Sequence, residues 1–297
     1  MTVNKTINII IVMVIGVMPF YSSVQAQEAL RLESHVLVNK VYEVETRKFL
    51  QPAEIKQRLP DYNYILLGEV HDNPVHHQYQ AEIITALRKT QSSAAVAFEM
   101  INLSQGELLL DQKFTKAEEL IDLLLTVKSP WPYEQDYREV FQKTIDAAYS
   151  VLPANLDRPQ LMALMRDDVS SLPDSVSKMY LASTLDSRQL RAMQEEIIDA
   201  HCGLIKPEHT QPMVNIQRAR DIIMAHSLQG NTAAQKVLIA GAGHVRNDRA
   251  VPYYLRLWDE DARIMALAFQ EVSDGLNRPE QYTARWGGEI LPLSLIH

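Results

Sequence analysis

The chain has 297 residues, carries 29 Lys and Arg against 37 Asp and Glu, and has a formal net charge of −8. An acidic balance of this kind argues against a surface that tracks phosphate backbones, so nucleic acid is set aside as a partner and a small molecule, a metal or another protein is expected. The single cysteine, Cys202, allows no internal disulfide, so stability must come from an apolar core.

Residues 1–26 read as a cleaved signal peptide: Lys5 is a lone positive charge, residues 9–17 form a short apolar stretch, and Val24-Gln25-Ala26 is a small-residue cleavage site. The stretch falls short of the roughly 20 residues a bilayer span needs, so no stable membrane span is expected after cleavage. No cysteine lies near the cleavage site to accept lipid, and a periplasmic or secreted protein follows. Lys5 is the only charge in this segment, so its loss moves the formal balance from −8 to −9. Residues 27–297 are read as a single domain.

Residues 35–38 and 41–44 read as a hairpin around Asn39-Lys40. Pro52 opens a short helix, and residues 64–67 form an apolar strand that stops at Gly68. Asn73-Pro74 is a cap and first-turn proline for a helix over residues 75–89. Residues 94–98 form a second strand stopping at Glu99, and Ser104 with Glu107 matches a capping box for the next helix. A third strand near residues 151–154 ends at Asn155. Residues 159–230 contain no convincing strand and read as a large helical insertion. Residues 237–240 and 263–269 supply two further strands, and the tail from Ser273 is rich in turns.

Continuous apolar strands alternating with helices indicate an α/β fold, with a mostly parallel central sheet flanked by helices. In such sheets ligands bind at the carboxyl ends of the strands. That rule gathers Glu69, His71, Glu99, Asn155, Arg158 and His244 onto one rim. Two Gly-x-x-His turns, Gly68 to His71 and Gly241 to His244, are expected to meet there. Neither is a phosphate cradle, because no third glycine and no Gly-Lys-Ser/Thr is present.

The two histidines suit metal ligation, general base work or ligand binding, and Glu69 or Glu99 suits the completion of a metal shell. His71, Glu99 and His244 are therefore the candidate metal ligands. As a catalytic set, Glu69 serves as general base and Arg220 stabilises developing negative charge beside His71, Glu99 and His244. His76 and His77 sit on the first turn of the following helix, and His76 is taken to face the rim. His201 closes a helix, where the C-terminal dipole also accounts for a histidine. Trp131, Tyr133, Tyr137 and Tyr149 suit either a helical core or a flat apolar ligand.

Several segments together carry a family resemblance. Gly68-Glu69-Val70-His71-Asp72-Asn73 with His77, Phe98-Glu99-Met100, His201-Cys202-Gly203, Arg220-Asp221 with Met224-Ala225, and Gly241-Ala242-Gly243-His244-Val245-Arg246 with Val251-Pro252 resemble the ChaN-like haem-binding uptake proteins of the Tiki superfamily, which also includes erythromycin-esterase-like relatives. The similarity covers about residues 60–270. It implies a small parallel sheet with His71, Glu99 and His244 in one pocket, haem as cofactor, and an association into homodimers. His71, His76, His77, His201 and His244 are then the candidate haem-binding histidines. The alternative it carries is a metal-dependent hydrolase, peptidase or esterase, holding a divalent metal ion.

Overall fold

Uninterrupted apolar runs make the middle of one sheet, and what flanks them follows from which side each residue faces. The computed structural model describes residue 32 and residues 34–91, 93–284 and 293–296. The expected signal peptide, residues 1–26, lies outside them.

In chain order the strands are β1 Lys40–Glu43, β2 Lys48–Leu50, β3 Tyr64–Glu69, β4 Ala94–Asn102, β5 Ser150–Asn155, β6 Gln235–Gly241, β7 Ile264–Gln270 and β8 Leu293–Ile296. The α-helices are α1 Pro52–Arg58, α2 Pro74–Thr90, α3 Leu103–Leu108, α4 Ala117–Leu124, α5 Arg138–Asp146, α6 Arg158–Leu164, α7 Asp174–Ala182, α8 Ser187–Ala200, α9 Gln211–Gln229, α10 Val251–Trp258 and α11 Pro279–Ala284.

The sheet runs β2-β1-β8-β7-β3-β6-β4-β5, parallel from β8 to β5 and antiparallel at the β1–β2 end. This is the expected α/β architecture. Because successive strand residues face opposite sides, each run splits between two cores. Ile65, Leu67, Val96, Phe98, Val237 and Ile239 pack with Ile84, Leu87 and Phe141 on one face. Tyr64, Leu66, Ala97, Leu238 and Ala240 pack with Leu164, Ile222 and Leu255 on the other. Burial on both faces is why these strands read as continuous apolar segments.

Between β5 and β6 the described chain carries the helices α6 to α9 and no strand. Two local expectations need correction. The hairpin is formed by β1 and β2, with Glu43 opposite Lys48, and not by residues 35–38. Arg47 takes the left-handed conformation (φ 56°) that closes the turn there, whereas residues 35–38 coil through a bond from Val38 N to His35 O. The helix after β4 begins two residues before the expected box. The Asn102 side chain accepts from Gln105 N, and Gln105 Oε1 accepts in return from Asn102 N. The Ser104 hydroxyl goes to Asp157 instead.

Candidate functional site at the strand-end rim

β6 lies between β3 and β4, so the ends of these three strands are side by side. β3 ends on Glu69 and β6 on Gly241, in register with each other. β4 loses regular register against β5 between Phe98 and Asn102, an irregularity of the kind that re-aims a side chain. Glu99 lies within it, and its carboxylate Oε2 accepts the Gly241 amide at 2.7 Å.

Glu69 is buried, and its carboxylate takes a bond from the Tyr137 hydroxyl at 2.6 Å, the Gln80 side-chain amide at 2.6 Å and His71 Nδ1 at 2.9 Å. His77 Nε2 stands 3.3 Å from Oε2, the oxygen that accepts from Gln80. Burial pushes the Glu69 carboxyl up, and the contacts from His71, His77 and Tyr137 more than reverse this, holding it below the ordinary range.

His71 Nε2 turns toward Glu99 Oε2 at 3.8 Å, and from the other side His244 Nε2 stands 3.6 Å from Glu99 Oε1. Arg220 from α9 pairs with the same Oε1. Burial of Glu99 raises its carboxyl, but Arg220 and His244 hold it well below the ordinary range. His244 Nδ1 donates to Asp221 Oδ1 at 2.6 Å. Burial alone would lower the imidazole, yet Glu99 and Asp221 raise it to about 9. Asp221, fully buried, is raised to about 6 by loss of solvent, against the pull of His244. The His71 imidazole, lowered by burial, is raised on balance by Glu69 and Glu99.

Carboxylate and imidazole thus alternate across the rim in the order Glu69, His71, Glu99, His244, Asp221. The row separates two cavities. One, of about 340 Å³, is bounded by His71, Asp72, Pro130, Trp131, Pro132 and Asp136. There the Trp131 ring sits edge-on to His71 with centroids 4.8 Å apart, and the His71 side chain is 38% exposed. The other, of about 370 Å³, lies between α8, α9 and the turn after β6, with Asp221 at its inner end and His201 among its lining residues.

The expected residues Glu69, His71, Glu99, Arg220 and His244 therefore come together. Of His76 and His77, it is His77 that faces the rim, and neither faces solvent. His76 is fully buried, accepts from Val70 N at 3.0 Å and stacks on Phe269, whereas His77 is the one against Glu69. The reason is helical phase, which turns position 77 toward β3 and position 76 toward β7. Asn155 supports the rim by donating to Glu99 O at 2.9 Å. Arg158 is exposed at the start of α6 and takes no part. Arg218, on the same helix as Arg220, is spent on the Ser183 carbonyl and the Tyr180 ring.

His71, Glu99 and His244 do not fit a divalent ion. Both imidazoles and Arg220 already compensate the one carboxylate, and among the described residues no group of three or more His, Cys, Asp or Glu side chains is arranged to hold a metal.

Gln80 is not singled out in the sequence, and Asp221 enters there only within the Arg220-Asp221 segment, without a role. Gln80 is three residues past His77, so its helix phase was the available signal. Asp221 adjoins Arg220, and only the position of His244 in space gives it a role.

An open, mostly parallel sheet with its polar groups at the carboxyl ends of adjacent strands defines an α/β protein with a rim site. The sequence model described as "Haem-binding uptake, Tiki superfamily, ChaN" matches residues 55–255, and the chain belongs to that family. Among solved structures it is similar to ChaN of Campylobacter jejuni, whose structure is of cofacial heme binding, at a TM-score of 0.67 and 19% identity, covering 86% of this chain and 95% of that one. The erythromycin esterase EreC is similar at a TM-score of 0.45 and 12% identity, over 86% and 97% of the two chains. The type III effector HopBA1 follows at 0.44 and 14%, over 82% and 90%. No curated protein matches the sequence.

Proposed function

We propose that this chain binds haem outside the cytoplasm and serves haem or iron uptake. Membership of the haem-binding family supports the ligand, and one observation carries it to particular residues. His201, at the end of α8, is exposed, and its Nδ1 lies 2.7 Å from the Ile197 carbonyl oxygen. A ring held in this way through Nδ1 presents Nε2 as the free electron-pair donor. It sits at a recess whose walls include Met193, Ile197, Ala200, Met213 and Ile216, an apolar face suited to one side of a porphyrin.

The other candidate histidines fit the group less well. His76, His77 and His244 are buried, and His71 points Nε2 inward at Glu99. Tyr137 is committed to Glu69. Bound haem supplies an iron centre that takes an axial donor from the protein, and His201 would hold it.

Titrating the mature protein with hemin should give a saturable Soret shift near one haem per chain. His201→Ala should weaken binding by about tenfold or more, while His76→Ala leaves it unchanged. A parent titration indistinguishable from that of an albumin-like control would reject the reading. The same reading carries the expectation of a homodimer, which light scattering with and without hemin measures.

A second reading, hydrolysis, is favoured by a different observation. His71 is partly exposed, borders the Trp131 cavity and is oriented through Nδ1 by a buried carboxylate, with Nε2 3.8 Å from a second carboxylate, Glu99, an arrangement suited to proton transfer. A panel of esters and peptides, run with the parent and His71→Ala, decides it; no turnover above the variant's background sinks it.

A further inference from the structure

Inward from His201, the cavity between α8 and α9 runs toward the turn after β6. Its volume of about 370 Å³ is at the small end of ligand pockets and far below what a porphyrin needs. At roughly 30 Å³ per water-sized group it holds on the order of a dozen heavy atoms. The walls contributed by Met193, Ile197, Ala200, Met213 and Ile216 are aliphatic or thioether, and the inner end offers Gln217 and Asp221. On the turn, a Cβ added to Gly243 would meet nothing nearer than Glu196 Oε1 at 3.5 Å, so the backbone there borders open space.

Asp221 is fully buried, and while its Oδ1 is taken by His244, its Oδ2 is buried without a hydrogen-bond partner. A buried carboxylate oxygen left without a donor is costly, and a ligand that brings a donor recovers that cost. The surrounding charges are already matched. His244 faces Asp221, Arg220 faces Glu99, and Arg249 pairs with Glu196 and Asp248. An added ammonium would have no free counter-charge, and an added carboxylate would meet Asp221. A neutral hydroxyl supplies the missing donor without disturbing the balance.

We propose that this cavity binds a neutral aliphatic alcohol of about eight to ten carbons, its chain between Met193, Ile197, Met213 and Ile216 and its hydroxyl donating to Asp221 Oδ2. Gln217 lines the same end, with its side-chain nitrogen 3.2 Å from His244 Nδ1. The alcohol lies inward of His201 but shares the walls offered to a porphyrin, so binding is measured on haem-free protein.

Calorimetric titration of haem-free protein with 1-octanol, heptyl methyl ether and octanoate tests it. One molecule of 1-octanol should bind per chain. The ether, of similar length but without an O–H donor, and octanoate should each bind at least about tenfold more weakly. Ala200→Trp places bulk at an exposed lining position and should cut 1-octanol affinity by about tenfold or more with the thermal midpoint unchanged. If that variant unfolds, Gly243→Val reaches into the same space and replaces it. The proposal is overturned by a parent that shows no saturable 1-octanol binding, by equal affinity for the three probes, or by full affinity in the folded filling variant.

Discussion

Glu99 is the carboxylate on which the charges of the rim converge, with Arg220, His71 and His244 around it. Removing one partner from a buried pair leaves an uncompensated charge, and this costs more than the intact pair contributes. Arg220→Ala should therefore destabilise by about 3 kcal/mol, a drop of roughly 6–12 °C in thermal midpoint for a chain of this size. Arg220→Met combined with Glu99→Gln should recover most of that loss, and a double variant as unstable as the single one would contradict the argument. His244 gives a pH limb of definite sign. Its pKa is raised from 6.5 to about 9, so the stability it contributes is fully present below pH 6.5 and is lost as pH rises through about 9. Asp221 runs against this at lower pH: its carboxyl, raised from 3.8 to about 6, costs stability as pH climbs through that interval. Glu69 and Glu99, both lowered, contribute above the ordinary carboxylate range and lose that contribution on acidification. The midpoint should fall between pH 7 and pH 10 in the parent, and His244→Asn should flatten the fall; a parent curve level across that window would remove the imidazolium from the account.

At the scale of elements, the two Gly-x-x-His turns touch, and the contact depends on absent side chains. A Cβ at Gly68 would stand 2.5 Å from Val245 Cγ2 and 2.8 Å from Ala242 Cα, so Gly68→Ala should cost about 1–3 kcal/mol, as overpacking does. Val245→Ala should restore part of it, because the side chain yields where the backbone does not; no restoration would mean that the Ala242 contact dominates. A Cβ at Gly241 would lie 2.9 Å from His71 Nε2. Gly241→Ala should displace the imidazole and shift its proton resonances while leaving β6 paired. These glycines were visible in the sequence because each follows an apolar run and precedes a histidine. The contributions of α2 and α9 were less visible. A helix residue faces the rim only at the right phase, and position 76 against 77 is a difference of one residue. Gln80 shares its helix phase with His77, whereas Asp221 lies on a helix whose rotation against the sheet is set by packing, and no spacing within the sequence reveals it. The β1–β2 register failed for a related reason: the turn conformation sits at Arg47, a residue type that carries little turn signal.

At the scale of the whole molecule, the parallel α/β architecture was legible because each central strand is apolar on both faces. The edge was not, since β8 comes from a turn-rich tail. β8 pairs with β1 on one side and β7 on the other, so it is what joins the β1–β2 ribbon to the parallel sheet. Truncation before Leu293 should release the ribbon. Limited proteolysis should then cut near residues 40–50 while the remaining core keeps a cooperative melt; unchanged protection of that ribbon would argue against the pairing. The position of β6 has a consequence for the order of events during synthesis. The strand that separates β3 from β4 is made last of the three, and between Asn102 and Gln235 a nascent chain holds two apolar strands that lack their common neighbour. Long-range parallel pairing of this kind is slow to form. Until the second half of the chain emerges the sheet cannot close, which keeps the polypeptide in a threadable state and exposes it meanwhile to association with other unfinished chains.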